Sequence, residues 1–103
     1  MRLSGKTVLV TGGSTGIGYA LALGCAREGA DLIINYFDDR TRADAVVKEI
    51  TALGRRAIAL KADIRKVREI DAMFARARKV FPQLDVLINN AGLTGWANFF
   101  DTT

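Results

Sequence analysis

Four short apolar runs in this chain are separated by segments whose apolar residues recur every three or four positions. Lys6-Thr7-Val8-Leu9-Val10-Thr11, Asp31 to Tyr36, Arg56 to Lys61 and Val86-Leu87-Ile88-Asn89 read as buried strands. Between them, Ile17, Ala20, Leu21, Gly24 and Cys25 predict one packed helical face that stops at Gly29. Ala43, Val46, Val47, Ile50 and Leu53 predict a second helix ended by Gly54, and Ile70, Met73, Phe74, Ala77 and Phe81 a third closed by Pro82. Strands alternating with amphipathic helices over short connections imply βαβ crossovers. The expected fold class is therefore α/β, a parallel sheet with helices on both faces.

Composition narrows the chemistry. With no histidine in 103 residues, mechanisms built on imidazole are excluded, including Ser-His-Asp and Cys-His nucleophiles. Cys25 is the single cysteine, so neither an internal disulfide nor a thiolate metal cage can form, and a metal site is not expected. Between small neighbours Gly24 and Ala26, Cys25 reads as an inert packed thiol. The net charge is +4, and nine Lys/Arg fall between Arg55 and Lys79 against Asp63, Glu69 and Asp71. Phe74, the aromatic within that stretch, keeps helical register, so a solvated helix face is expected and not a nucleic-acid surface. No run approaches the ~18 apolar residues of a membrane span, and the N-terminus lacks a secretory apolar region; a cytoplasmic location without membrane partners is the expectation.

Gly12, Gly13, Gly16 and Gly18 lie between the first strand and its helix, where a parallel α/β unit binds phosphates on the free N–H groups of a helix N-terminus. Their spacing does not satisfy G-x-G-x-x-G. Gly13 to Gly18 gives G-x-x-x-x-G, but Tyr19-Ala20 follows in place of Lys-Ser/Thr, which argues against a P-loop. What stands here is Thr11-Gly12-Gly13-Ser14-Thr15-Gly16-Ile17-Gly18. Asn89-Asn90-Ala91-Gly92 ends the fourth strand, and Asp63-Ile64 follows the third.

In these motifs, in this order, the chain resembles the short-chain dehydrogenase/reductase family over essentially its whole length. The resemblance implies a Rossmann-like doubly wound sheet of strand order 3-2-1-4, residues 1–103 forming one incomplete NAD(P)-binding domain. It implies cofactor contacts from Gly12, Ser14, Thr15, Gly16, Ile17 and Gly18. The Asp63 carboxylate would hold the adenine amino group, the Ile64 backbone would meet the ring, and Asn90, Ala91 and Gly92 would pass beside the adenosine ribose. Taken singly, Asp63 reads equally as a cap of the third helix. Asn89 reads as structural, its amide tying neighbouring strand backbones together.

Dinucleotide selectivity is set at the end of the second strand, where an acid bonds the ribose 2′-OH of NAD. Tyr36 stands there, so NADP is slightly favoured over NAD, although Asp38 and Asp39 follow. Ser14, Thr15, Asn35 and Arg40 are candidates to receive a 2′-phosphate, with Arg40 equally readable as a solvated first-turn residue.

The function implied is an NAD(P)-dependent oxidoreductase acting on a small carbonyl or alcohol substrate, this chain supplying the dinucleotide-binding part. The family's acid/base tyrosine and the lysine four residues later have no match: Tyr19 is followed by Leu23 and Tyr36 by Arg40. No catalytic residue is therefore assigned, and the chain alone is expected to be inactive. The fourth strand is expected to present a bare apolar edge, and Trp96, Phe99 and Phe100 to lack a packing surface, as in a chain that stops early through truncation or gene decay. A non-catalytic or decayed nucleotide-binding module is the alternative reading. An oligomer is possible but not readable, nor is the substrate.

Overall fold

The computed structural model describes residues 2–90. Its elements are β1 (Thr7–Thr11), α1 (Gly16–Arg27), β2 (Asp31–Tyr36), α2 (Arg40–Ala52), β3 (Ala57–Lys61), α3 (Val67–Val80) and β4 (Val86–Asn89). All strand pairs are parallel, in the order β3-β2-β1-β4. The chain thus builds outward from β1 to β3, then crosses back to place β4 on β1's other side. That reversal opens the crevice between the carboxyl ends of β1 and β4 in which such sheets bind ligands.

The alternation of side chains along a strand divides the core in two. Val8, Val10, Leu32 and Ile34 face α1 and α2, meeting Ala22, Ala26, Ala43, Val46 and Ile50. Leu9, Ile33 and Leu60 face α3, meeting Met73, Ala77 and Phe81. Both central strands are covered on both faces, which is why they read as unbroken apolar runs. Burying each large aliphatic side chain here contributes about 1.5–3 kcal/mol.

The helical face predicted for α1 is displaced. Gly18, Ala22 and Ala26 are the buried positions, whereas Ile17 and Leu21 are 61% and 38% exposed and Ala20 is exposed. Small residues line the inward face because α1 must start hard against the β1 turn; the larger apolar residues that dominate the periodicity point outward. Cys25 does pack at the margin of the core, and partial burial pushes its thiol pKa up. Leu53, expected on the packed face of α2, is the C-cap residue and exposed.

The edge of β4 is apolar: Leu87 is 52% and Val86 37% exposed. Beside it a cavity of about 130 Å³ is lined by Thr11, Ile64, Met73, Phe74, Leu87 and Asn89, among others. No helix among the described residues is long and apolar enough to cross a membrane. The tail with Trp96, Phe99 and Phe100 lies outside the described residues.

Candidate functional site

The glycine turn begins where β1 ends, and a single buried side chain holds it. Asn35, 2% exposed near the end of β2, accepts the Gly12 N–H on Oδ1 at 3.2 Å. Its amide nitrogen donates to the carbonyl of Ala62 at 3.2 Å, and at 3.4 Å to those of Leu60 and Tyr36. The Asn35 carbonyl also accepts the Gly13 N–H at 3.1 Å. Asn35 therefore fixes the turn against β2 and β3, and it is engaged within the fold, not placed to receive a 2′-phosphate. The strand-tying role expected of Asn89 belongs to Asn35. Asn89 is exposed on the sheet-edge strand, and its Oδ1 accepts the Thr11 hydroxyl at 3.1 Å.

Two glycines are required for different reasons. At Gly18 an added Cβ would strike the Gly12 carbonyl oxygen and lie 2.5 Å from Asn90 Nδ2, so close packing demands its absence. Gly16 has φ +57°, a left-handed conformation costly to other residues, and an added Cβ would meet no atom within 4 Å. Asn90 closes the far wall, its Nδ2 donating to the Gly12 carbonyl at 3.1 Å. Its Oδ1 is buried without a hydrogen-bond partner among the described residues. The ends of β1 and β4 and the start of α1 are thus bound into one unit.

That unit suits an anion. Thr15 is the N-cap of α1, its side chain makes no capping bond, and the first turn carries no acidic residue. The first-turn N–H groups and the positive end of the helix dipole are accordingly not matched by a local carboxylate. Ser14 is buried, while Thr15, Gly16 and Ile17 are exposed at the mouth. Open space over Gly16 leaves room for a phosphate-bearing ligand to approach these N–H groups.

Asp63 and Ile64 lie directly beyond β3, where the Ala62 N–H donates to the Tyr36 carbonyl at 3.0 Å. The Asp63 carboxylate is gripped by Arg65: Oδ1 accepts the Arg65 backbone N–H at 3.0 Å and Nε–H at 2.9 Å, and Oδ2 accepts from Nη2 at 2.9 Å. These bonds hold its pKa down at about 2, so it is ionised at neutral pH. Asp63 is not the side-chain cap of α3, whose N-cap is Lys66. Arg65 also lies over the exposed Phe37 ring, 5.4 Å from its centroid. Ile64 lines the cavity beside β4.

Tyr36 ends β2 with its side chain buried in the α1/α2 core, 8% exposed. The Tyr19 hydroxyl donates to Glu49 Oε1 at 3.0 Å on the surface between α1 and α2, which holds the proton and raises its pKa. Neither phenol stands at the crevice with a partnering lysine. Arg40 points along its own helix, 3.6 Å from Asp44. The cation that reaches the glycine turn is Arg42, whose Nε–H donates to the Ser14 carbonyl at 3.4 Å. Sequence reasoning passed over Arg42; its place two residues after Arg40, on the next part of the first turn, was the available signal. Ala91 and Gly92 lie outside the described residues.

Comparison with known proteins agrees with this geometry. The family model described as short chain dehydrogenase matches residues 6–103. L-rhamnose 1-dehydrogenase (NAD(P)(+)) of Sphingomonas sp. strain SKA58 is 48% identical over 99 residues, covering 96% of this chain and 39% of that protein. A dehydrogenase/reductase from Sinorhizobium meliloti 1021 superposes with TM-score 0.83 at 43% identity, over 86% of this chain and 35% of that one. A short chain dehydrogenase from Burkholderia cenocepacia J2315, solved in complex with NADP, gives TM-score 0.81 at 48% identity, over 84% of this chain and 36% of its own length. The chain spans about two fifths of the length of the curated relatives it matches. Sheet order, glycine turn and these matches together establish that the chain belongs to the short-chain dehydrogenase family.

Proposed function

We propose that this chain forms the dinucleotide-binding part of an NAD(P)-dependent oxidoreductase acting on a carbonyl or alcohol, with NADP taken in preference to NAD. The observation that carries the reading is the acid-free start of α1, held by Gly18 and Asn90 against the end of β1 at the sheet's reversal point. The chemistry supplied by a nicotinamide dinucleotide is hydride transfer to or from a carbon bearing oxygen.

In this reading the first-turn amides of α1, with Ser14, Thr15, Gly16 and Ile17 around them, receive the pyrophosphate. Asp63 and Ile64 border the adenine, Tyr36 the ribose, and Asn90 continues the wall toward Ala91 and Gly92. The preference for NADP rests on the residue at the end of β2: a carboxylate there would repel a 2′-phosphate, and Tyr36 brings none. The two tyrosines in the sequence are both committed to the α1/α2 side, so proton transfer is not assigned to any residue of this chain.

Calorimetric titration with ADP, NAD and NADP tests the reading. All three are expected to bind, NADP more tightly than NAD, and Gly16→Asp is expected to abolish binding by placing a like charge and a strained side chain at the phosphates. A folded sample that binds none of them at millimolar ligand, or a Gly16→Asp variant that binds unchanged, would show the assigned site to be wrong.

A further inference from the structure

We infer that the outer edge of β3 is a docking strand for an extended acidic peptide, which adds to the sheet alongside it. Among the described residues β3 and β4 are the two ends of the sheet, β4 aliphatic and β3 carrying small side chains between cations. The ladder to β2 fixes which backbone groups of β3 are already used. The Leu32 N–H donates to the Arg56 carbonyl at 2.9 Å and the Ala62 N–H to the Tyr36 carbonyl at 3.0 Å, with Ile58 opposite Ile33 and Leu60 opposite Asn35. Bonding alternates along a parallel pair, so Ile58 and Leu60 bond to β2 while the N–H and C=O groups of Ala57, Ala59 and Lys61 point away from the sheet. The side chains of Ala57 and Ala59 are methyl groups turned toward the α1/α2 core, which leaves that edge open to another backbone.

Charge decides what such an edge admits. Arg55 and Arg56 precede β3, and Lys61 ends it. Arg56 is braced, its Nη2 donating to the Val80 carbonyl at 3.4 Å and its guanidinium 4.5 Å above the Phe81 ring, while Asp31 takes its backbone N–H. Arg55 Nε is buried without a hydrogen-bond partner, and Arg55, Arg56 and Lys61 make no ion pair among the described residues. The acids of the flanking helices are engaged elsewhere: Asp44 lies 3.6 Å from Arg40, and Glu69 accepts the Asp63 N–H at 2.8 Å and lies 3.7 Å from Lys66. Asp71 is exposed on α3, outnumbered by Arg76, Arg78 and Lys79 on the following turns. These cations disfavour a second copy as the occupant. Antiparallel pairing of two β3 edges about Ala59 sets Lys61 of each beside Ala57 of the other, next to Arg55 and Arg56, and like charges on neighbouring strands repel. A strand carrying carboxylates turns that repulsion into attraction, and its backbone satisfies the outward groups of Ala57, Ala59 and Lys61.

The probe is an acetylated and amidated peptide of alternating threonine and glutamate, about eight residues long to span a strand. Two controls accompany it, one with lysine in place of glutamate and one with every backbone amide N-methylated. Amide hydrogen exchange followed by NMR reads the edge directly. The acidic peptide is expected to slow exchange at Ala59 and Lys61 by about tenfold or more, leaving Ile58 and Leu60 as they were, with the effect shrinking as salt is raised. Ala59→Pro removes an outward N–H without touching the β2 ladder, a position where edge strands tolerate proline, and should weaken binding about tenfold. Lys61→Gln should weaken it about threefold and serves in place of Ala59→Pro if that variant folds poorly. No protection at millimolar acidic peptide would overturn the inference, leaving the cations as guards of the edge. Equal binding of the lysine peptide would remove the acidic preference, and equal binding of the N-methylated peptide would remove strand pairing; each overturns it. Unchanged affinity in folded Ala59→Pro, or in Lys61→Gln, does the same.

Discussion

Replacing Asn35 should damage the protein more than its polar character suggests, because this one side chain links β2, β3 and the glycine turn. Asn35→Ala removes two well-formed bonds, to the Gly12 N–H and the Ala62 carbonyl, both at 3.2 Å, and two longer ones at 3.4 Å. Each net bond contributes about 0.5–1.5 kcal/mol, and stranding a buried backbone donor costs about 1–3 kcal/mol more. Gly12 is only half-buried, so water can partly compensate its N–H. A loss of about 2–4 kcal/mol follows, a large share of the ~5–15 kcal/mol that holds a domain folded. With a urea dependence of about 1–3 kcal/mol/M, the unfolding midpoint should fall by roughly 1–2 M. Asn35→Asp is the sharper probe: it keeps an acceptor for Gly12 but turns a carboxylate toward three carbonyl oxygens. It should be at least as destabilising as Asn35→Ala at neutral pH and less so in acid, where a protonated Asp regains a donor. Urea unfolding of both variants at pH 7 and pH 4 measures this. Costs below about 1 kcal/mol for both would refute the argument that Asn35 organises the turn.

Gly18→Ala should destabilise by about 1–3 kcal/mol and abolish dinucleotide binding, since the turn must move away from Gly12 and Asn90 to admit a methyl group; thermal melting and calorimetry read the two effects. The ion pair of Asp63 with Arg65 makes stability acid-sensitive. The Asp63 pKa is lowered to about 2 in the folded chain, so its stabilisation is fully present above the ordinary carboxylate pKa of 3.8 and is lost as pH falls through about 2. Arg65→Ala should therefore bring the acid limb of a circular-dichroism pH titration closer to that of an unpaired carboxylate, and an unmoved limb counts against the pairing. Tyr36→Asp should shift binding toward NAD, but because Tyr36 is 8% exposed in the core it should also cost about 3 kcal/mol in a urea melt. An unchanged NAD to NADP ratio in a folded Tyr36→Asp sample would mean that the β2 end does not face the ribose.

The existence and order of the strands and helices were legible in the amino-acid order. A strand interior buried on both faces shows as an unbroken aliphatic run, and a helix over a sheet as a three-to-four repeat; hence β2 and β4 have the expected bounds, and β1 and β3 begin one residue later than expected. The glycine turn was equally legible, because close approach and positive φ restrict those positions to residues without Cβ. Contacts between segments distant in sequence were decided only by the tertiary structure. Asn35 outranks Asn89 because β2 lies inside the sheet and β4 at its edge, a fact of strand order. The inward face of α1 passes through Gly18, Ala22 and Ala26 because the helix abuts the turn, so residue size, not hydropathy, sets its rotation. Arg42 and not Arg40 touches Ser14, 28 residues away, because the turn of α2 aims one side chain at β1 and the other along its own helix toward Asp44. Sequence spacing places residues on an element, but the angle at which that element lies on the sheet decides which of them meet.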